Sequence, residues 1–357
     1  MKEAEKKLGG LGEKILKDVD KGVNPNIDIP IRALSNVIHD PKTGMLTLGE
    51  KSAKRFFFHT AHAKKFMQTL VMASFCNELL KENIHTSIRD AYYALKRTLP
   101  NSDENIFETQ VESNSIIVDL EVALNILREQ LHLAADVRGK VAGKLVIVDR
   151  GDTIDCSKMG SGGWGVPSVV EDIKLKKVDA DFVLVVEKNA VYERLNEDRF
   201  WQKHKSILVT SQGQAARGVR RLIQRLSLEH NLPVYVLTDA NSWGWYIYSV
   251  IKYGSITLAH ISDRLGTINA KFIGMTISDI ERFGLQKFTE RATEVDIKRA
   301  QEMLKYEWFK HPAWQKELKL LIQKKIKAEI EALSGRGLRF ITEEYLPTKI
   351  KNQEFLP

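Results

Sequence analysis

Apolar and polar positions follow two different rhythms along this chain, and the change falls near Gly139. Between residues 28 and 55 the apolar residues come in short groups. Ile29 and Ile31, then Val37 and Ile38, lead into Asp40-Pro41-Lys42-Thr43-Gly44, and Met45-Leu46-Thr47-Leu48 follows. Short apolar groups on either side of a Pro- and Gly-bearing turn predict a β-hairpin. Over residues 62–81, Phe66, Leu70, Ala73 and Leu80 recur at helical spacing, while Lys64, Lys65 and Glu78 lie off that face, which predicts a helix. A break at residues 83–86 precedes a second helix from about Ser87. Thr86 or Ser87 supplies its cap, and Asp90 sits in the first turn, where the helix dipole favours a carboxylate. A third helical stretch is expected over residues 115–132. Gly9, Gly10 and Gly12 interrupt any helix in the first 25 residues, so that segment reads as a mobile or partner-contacting arm.

Beyond Gly139, short Val-rich runs alternate with polar helical stretches. The runs cover residues 144–148, 182–186, 206–210 and 233–237. Runs this short, with no polar alternation, predict parallel strands buried on both faces by helices. The chain therefore divides into an arm (1–25), a helical domain with a β-hairpin wing (26–138), and an α/β domain with a C-terminal helical extension (139–357). Helices plus a wing suggest a winged-helix DNA-binding module. Lys324-Lys325-Ile326-Lys327 is expected on the exposed side of the C-terminal helix.

Composition narrows the class. A 357-residue chain that is 43% hydrophobic and 28% charged suits two folded domains. No apolar run approaches the ~20 residues that span a bilayer. Residues 1–21 lack a signal-peptide apolar block, and only Cys76 and Cys156 are present, which together suggest a reducing cytoplasm and no membrane. The formal charge of +8 is compatible with a polyanionic partner but does not by itself select one.

Open parallel sheets collect functional groups beyond the carboxyl ends of their strands. Glu187 follows Val185-Val186, and Asp239 follows Val236-Leu237-Thr238, with Asn241 two residues on. Residues two apart in extended backbone face one side, so Asp239 and Asn241 can address one ion, and clustered oxygen ligands suit Mg²⁺. The bland alternative pairs Glu187 with Lys188 or Arg194 and makes Asp239 a helix cap. The second cluster is Thr86-Ser87-Ile88-Arg89-Asp90-Ala91-Tyr92-Tyr93. A phenol with pKa near ~10 needs help to act as a nucleophile. Arg89 precedes Tyr93 by four residues, so guanidinium and hydroxyl can meet one phosphate. The bland alternative makes Tyr92 and Tyr93 half-buried aromatics and pairs Arg89 with Asp90. The segment from Gly213 to Arg221 is either a phosphate clamp or a solvated helix face. Arg32, Arg55, Arg217 and Arg220 are the candidate DNA contacts. His59 and His62 have no visible third ligand, and the glycine-rich Gly160 to Gly165 lacks a P-loop lysine.

Taken in order, these residues resemble the A subunits of DNA topoisomerase VI and, more distantly, their meiotic double-strand-break relatives. The likeness runs over nearly the whole chain. It is carried by Ile29-Pro30-Ile31-Arg32 with Ser35-Asn36, Thr86 to Tyr93, Val185-Val186-Glu187-Lys188 and Gly213 to Arg221. Thr238-Asp239-Ala240-Asn241-Ser242-Trp243-Gly244, Ala270-Lys271-Phe272-Ile273-Gly274 and Glu344-Tyr345-Leu346-Pro347 extend it. The resemblance implies a mixed α/β protein with an N-terminal CAP-like winged-helix domain and a C-terminal Toprim domain with a mainly parallel sheet. It implies that Tyr93, the second of the pair, attacks duplex DNA beside Arg89, forming a 5′-phosphotyrosyl link. Mg²⁺ would be held by Glu187, Asp239 and Asn241. The family also implies a homodimer working with a GHKL-type ATPase B subunit in an A₂B₂ assembly, ATP being bound by B, in the nucleoid-associated cytoplasm. Asn241 departs from the family, which usually has a second aspartate there. Two rivals follow: a break-forming relative that does not reseal DNA, and a non-catalytic winged-helix DNA-binding protein.

Overall fold

The computed structural model describes residues 2–357. They fall into two units, residues up to Val37 with Leu48–Asp136, and Ile38–Thr47 with Val137–Pro357. The chain does not begin with a glycine-broken arm. Lys2–Asp20 is one helix, α1, that runs through all three glycines. Each glycine costs roughly 1 kcal/mol against alanine in a helix, but burying one face of a helix contributes more. Ala4 and Leu8 lie in the same buried cluster as Met72, Leu79, Leu80 and Tyr92, which explains why propensity lost.

The expected hairpin forms. After β1 (Asn26–Pro30), β2 (Val37–His39) and β3 (Leu46–Leu48) pair across the turn, and β4 (Ser52–Phe56) then runs antiparallel to β1. The Asp40 carboxylate closes the turn, accepting from Lys42 N at 3.0 Å and Thr43 Oγ1 at 2.8 Å. At its base the buried Asn36 amide donates to Ile31 O and Lys51 O, both at 2.9 Å, and accepts from Lys51 N at 3.0 Å. The hairpin tip groups with the second unit, where the His39 ring meets Tyr253 edge-on at 5.7 Å.

Next come α2 (Thr60–Glu82), β5 (Thr86–Ser87), α3 (Ile88–Leu95), α4 (Gln110–Leu124) and β6 (Leu133–Ala134). The parallel β5–β6 pair anchors the start of α3. The third helix is shorter than the pattern suggested. Asn125 adopts a left-handed conformation (φ 48°) and closes α4, and a 3-10 turn at Arg128–Leu131 follows. Asparagine tolerates that conformation better than most residues, a stop signal that apolar periodicity does not carry.

In the second unit, β7 (Lys140–Gly143), β8 (Leu145–Asp149), β9 (Asp152–Asp155), β10 (Trp164–Gly165) and β11 (Lys174–Val178) are all antiparallel. The run at 144–148 is therefore not a buried parallel strand. It becomes the middle of a separate three-stranded sheet ordered β11-β8-β9, with Leu145 and Ile147 buried and Val146 and Val148 only partly so. The other three runs behave as expected. They form β12 (Phe182–Val186), β13 (Ser206–Thr210) and β14 (Val234–Leu237), which with β15 (Ala270–Gly274) make a parallel set. Every residue of β12 and β13 is buried.

Helices α5 (Asn189–Glu197), α6 (Phe200–Lys203), α7 (Arg217–His230) and α8 (Ser242–Tyr253) connect these strands. The six-stranded order is β10-β7-β13-β12-β14-β15. The chain leaves β12 for β13 on one side and returns to β14 on the other, so the order reverses at β12. A crevice opens at such a reversal, at the carboxyl end of the strand. The lysine run at 324–327 does not share one helix face. The helix Pro312–Lys324 ends at Lys325 in a left-handed conformation, and Ile326–Lys327 pairs with Glu290–Arg291. No described helix is long and apolar enough to cross a membrane.

Candidate active site

The reversal point carries the acids. Glu187 is the first residue beyond β12, and β12 pairs with β14 up to Val186 opposite Leu237. That register brings Asp239 alongside: Glu187 N donates to Leu237 O at 3.0 Å, and Asp239 N donates to Glu187 Oε2 at 3.3 Å. Burial, reinforced by the Asp239 charge, pushes the Glu187 carboxyl up to about 7. Burial also raises Asp239, against the pull of the Ile330 N–H and Lys188. Both acids therefore carry an incompletely compensated charge in a place with little water.

Two further acids reach this point that local sequence did not reveal. Ala240 and Ala328 form an antiparallel bridge, which lays the segment 328–331 beside Asp239. Ile330 N donates to Asp239 Oδ1 at 2.9 Å across 91 residues of chain. Lys188 Nζ stands among the acids, 3.4 Å from Asp239 Oδ1, 2.9 Å from Glu329 Oε2 and 2.8 Å from Glu331 Oε2. Burial works against that ammonium, yet the hydrogen bonds it donates to Glu331 and Glu329 hold it above the ordinary lysine range. The only sequence signal was the acidic pair in Glu329-Ile330-Glu331, which the structure places at the start of a 3-10 turn, Ile330–Arg336. Nothing local tied them to Asp239.

Asn241 does not point its oxygen freely at this cluster. It caps α8, with Oδ1 accepting from Gly244 N at 2.7 Å. The helix start packs so closely on Asp239 that a Cβ at Gly244 would meet Asp239 O at 2.5 Å. Among the described residues no three carboxylates, histidines or cysteines surround one ready-made ion position. Buried oxygen donors of raised pKa, with an ammonium already drawn among them, nonetheless fit a hard divalent cation such as Mg²⁺.

The tyrosines separate cleanly. Ser87 Oγ accepts from Asp90 N at 2.9 Å and donates to Asp90 Oδ2 at 2.8 Å, which fixes the start of α3 and engages Asp90 away from Arg89. Tyr92 is 7% exposed and donates its hydroxyl to Glu108 O at 3.0 Å. Tyr93 is 58% exposed, with its ring 5.0 Å from that of Tyr92. Arg89, also exposed, lies one turn earlier on the same face. Tyr93 and Arg89 belong to the first unit, and the acids belong to the second.

The four candidate DNA-contact arginines are placed differently from expectation. Arg32 donates to Asp119 Oδ1 and Arg55 to Asp119 Oδ2, and the Asp119 side chain is only 5% exposed. Arg217 and Arg220 are buried, so neither lies on a solvated helix face. Arg220 Nε and Nη2 meet no partner among the described residues, and burial, with Arg217 beside it, draws its guanidinium down to about 9. Phosphate contact through Arg32 or Arg55 requires release from Asp119, and through Arg217 or Arg220 it requires exposure of a buried side chain. The pattern of basic residues could not show this, because Asp119 is distant in sequence from Arg32 and Arg55 and the burial of Arg217 and Arg220 is set by the fold.

Comparison with known proteins decides the family. Residues 182–350 match the model of the Toprim domain shared by the A subunit of topoisomerase 6 and Spo11, and residues 64–133 match "Type IIB DNA topoisomerase". Residues 138–179 match "All-beta domain in DNA topoisomerase VI alpha subunit". The A subunit of type 2 DNA topoisomerase 6 from Pyrococcus abyssi is 46% identical over 99% of this chain and 95% of its own length. That of Hyperthermus butylicus is 44% identical over 96% and 93%. The chain belongs to the family of DNA topoisomerase VI A subunits. The corresponding DNA topoisomerase 6 protein of Arabidopsis thaliana is 34% identical over 96% of this chain and 79% of its own length. In this chain the Toprim match contains Glu187, Lys188, Asp239, Asn241, Glu329 and Glu331, while Arg89 and Tyr93 lie in the type IIB match. The separate antiparallel sheet coincides with the all-β match, a subdivision that the apolar pattern alone did not reveal.

Proposed function

We propose that this chain is the DNA-cleaving subunit of a type IIB topoisomerase, with Tyr93 as nucleophile, Arg89 at the scissile phosphate, and Glu187 and Asp239 as Mg²⁺ ligands. The observation that carries the assignment is the contrast within the tyrosine pair. Tyr92 has its hydroxyl tied to a backbone carbonyl in the core, whereas Tyr93 presents its own to solvent beside an exposed arginine. A nucleophile must reach its substrate, and only one of the two can.

The Tyr93 hydroxyl gives its proton to solvent as its oxygen attacks a backbone phosphorus in line, the bond from phosphorus to the 3′ oxygen breaks, and the released oxygen takes up a proton from solvent to become a 3′-hydroxyl. A 5′-phosphotyrosyl ester remains. Arg89 offsets charge on the non-bridging oxygens, the positioning and electrostatic help that phosphoryl transfer needs. Mg²⁺, when bound, supplies further neutralisation of that phosphate. Because the ester retains the bond energy, resealing is the reverse reaction and needs no fuel. Residues 26–138 act as the CAP-like winged-helix domain that seats duplex DNA, and residues 139–357 include the Toprim acids. A homodimer supplies one tyrosine per strand, each working with the acids of the other protomer. A GHKL-type B subunit in an A₂B₂ assembly binds the ATP that drives strand passage, in the nucleoid-associated cytoplasm.

The test is DNA relaxation and decatenation by the chain combined with a B subunit, ATP and Mg²⁺. Tyr93→Phe abolishes both activities with DNA binding retained, and Tyr92→Phe keeps them to the extent that it folds. Activity surviving in Tyr93→Phe sinks the assignment. A second reading, a DNA-binding relative with a decayed Toprim site, has one observation in its favour: the Asn241 carbonyl is spent on the helix cap.

A further inference from the structure

Among the described residues Lys188 is the cation placed inside the acid cluster, and the reaction outlined above assigns it no task. Its side chain is 22% exposed and reaches three carboxylates on two separate segments. The contact with Glu331 joins residues 143 apart, so it does not follow from chain proximity. Lys188 stands two residues beyond the end of β12 and caps α5 in an extended conformation, φ −94° and ψ 133°. That backbone fixes the base of the side chain and leaves its long stem to select where the ammonium rests.

The arrangement is asymmetric in a way that matters. The Asp239 end of the cluster is buried, with that side chain 9% exposed, whereas Glu329 and Glu331 are 54% and 44% exposed. A divalent ion bound to Asp239 Oδ1 at the usual ~2.1 Å would stand only a few ångströms from an ammonium near that same oxygen, in a medium where like charges are poorly screened. The two cations compete for Asp239 Oδ1. The lysine can, however, withdraw toward Glu329 and Glu331 without losing all its partners.

We infer that Lys188 is the resident counter-ion of this acidic pocket, and that a divalent cation binds by displacing its ammonium from Asp239 toward Glu329 and Glu331. Lys188 thereby lowers the affinity for the metal and offsets part of the acids' charge without it. The two glutamates act as the place where the lysine is held once the ion is bound, rather than as metal ligands. The inference rests on the reading of Glu187 and Asp239 as divalent-ion ligands, and the test separates the two.

Mn²⁺ binding to the full chain, stripped of metal, is measured by calorimetry and by the rise in melting temperature on adding MnCl₂. In Lys188→Met the dissociation constant falls about tenfold, and the Mn²⁺-induced rise in melting temperature exceeds that of the unsubstituted chain, because ligand binding to the folded state stabilises it. Lys188→Arg stays near the starting affinity. Glu329→Gln with Glu331→Gln weakens binding several-fold when Lys188 is present and has little effect when it is Met. Asp239→Asn removes binding and serves as the control for the metal reading. Unchanged or weaker binding in Lys188→Met, with Asp239→Asn still abolishing it, overturns the role of Lys188 alone. Equal loss from the paired glutamine substitutions in both backgrounds makes the glutamates ligands and also overturns it. No Mn²⁺ binding in either the unsubstituted chain or Lys188→Met overturns both readings. If Lys188→Met does not fold without metal, refolding in MnCl₂ at concentrations too low to affect the unsubstituted chain supports the proposal, and failure to refold at any concentration contradicts it.

Discussion

At the scale of single residues, Glu187 carries a local cost that depends on pH. Its folded-state pKa is raised from 4.5 to about 7 by burial and by Asp239. Between those values the folded protein keeps a proton that the unfolded chain gives up. Stability from this group is therefore full below pH 4.5 and is lost as pH rises through about 7. In EDTA, Glu187→Gln should raise stability at pH 8 by about 1–2 kcal/mol, or a few degrees in melting temperature, and the gain should shrink toward pH 5. Melting curves of both proteins across that range check the sign, and a less stable variant at pH 8 contradicts it. Asn241 makes the complementary case. Asn241→Asp keeps a good helix cap and returns a negative charge to the cluster, so Mg²⁺ should bind more tightly in a calorimetric titration. An unchanged titration excludes position 241 from influence on the metal. The places of Glu187 and Asp239 just beyond β12 and β14 were legible because those strands announce themselves by their apolar runs, whereas Tyr93, inside α3, was singled out from Tyr92 only by the family resemblance. The engagement of Arg32 and Arg55 with Asp119, and the arrival of Glu329 and Glu331 beside Asp239, were not, since each depends on a partner brought close only by the fold.

At the scale of elements, α1 shows how burial overrides composition. Gly9, Gly10 and Gly12 stand in helical backbone, and an added Cβ at any of them would meet nothing within 4 Å. Replacing all three by alanine should stabilise the first unit by about 0.5–1 kcal/mol per site, chiefly by restricting the unfolded chain. Thermal melts of the triple variant test this, and a fall in melting temperature means the glycines serve a contact outside this chain. Strands β12, β13 and β14 were legible because strands buried on both faces must be apolar throughout. Strand β8 has the same composition but is covered on one face more than the other, a difference written in its surroundings and not in its residues. The hairpin was legible from its turn chemistry, and the tip's grouping with the second unit was not, because His39 and Tyr253 are too distant in sequence to signal contact.

At the scale of the whole molecule, the proposed chemistry is divided. The nucleophile and its arginine are on the first unit, the acids on the second, and the proposal joins them across a dimer on DNA. Such a division makes cleavage depend on assembly. The most direct measurement is to trap the covalent DNA adduct with detergent, in the presence of a B subunit, ATP and Mg²⁺, digest it, and locate the nucleotide-bearing peptide by mass spectrometry. The expected product is a nucleotide esterified through its 5′-phosphate to Tyr93. A nucleotide on Tyr92 or any other residue, or an undiminished adduct in Tyr93→Phe, rules that nucleophile out.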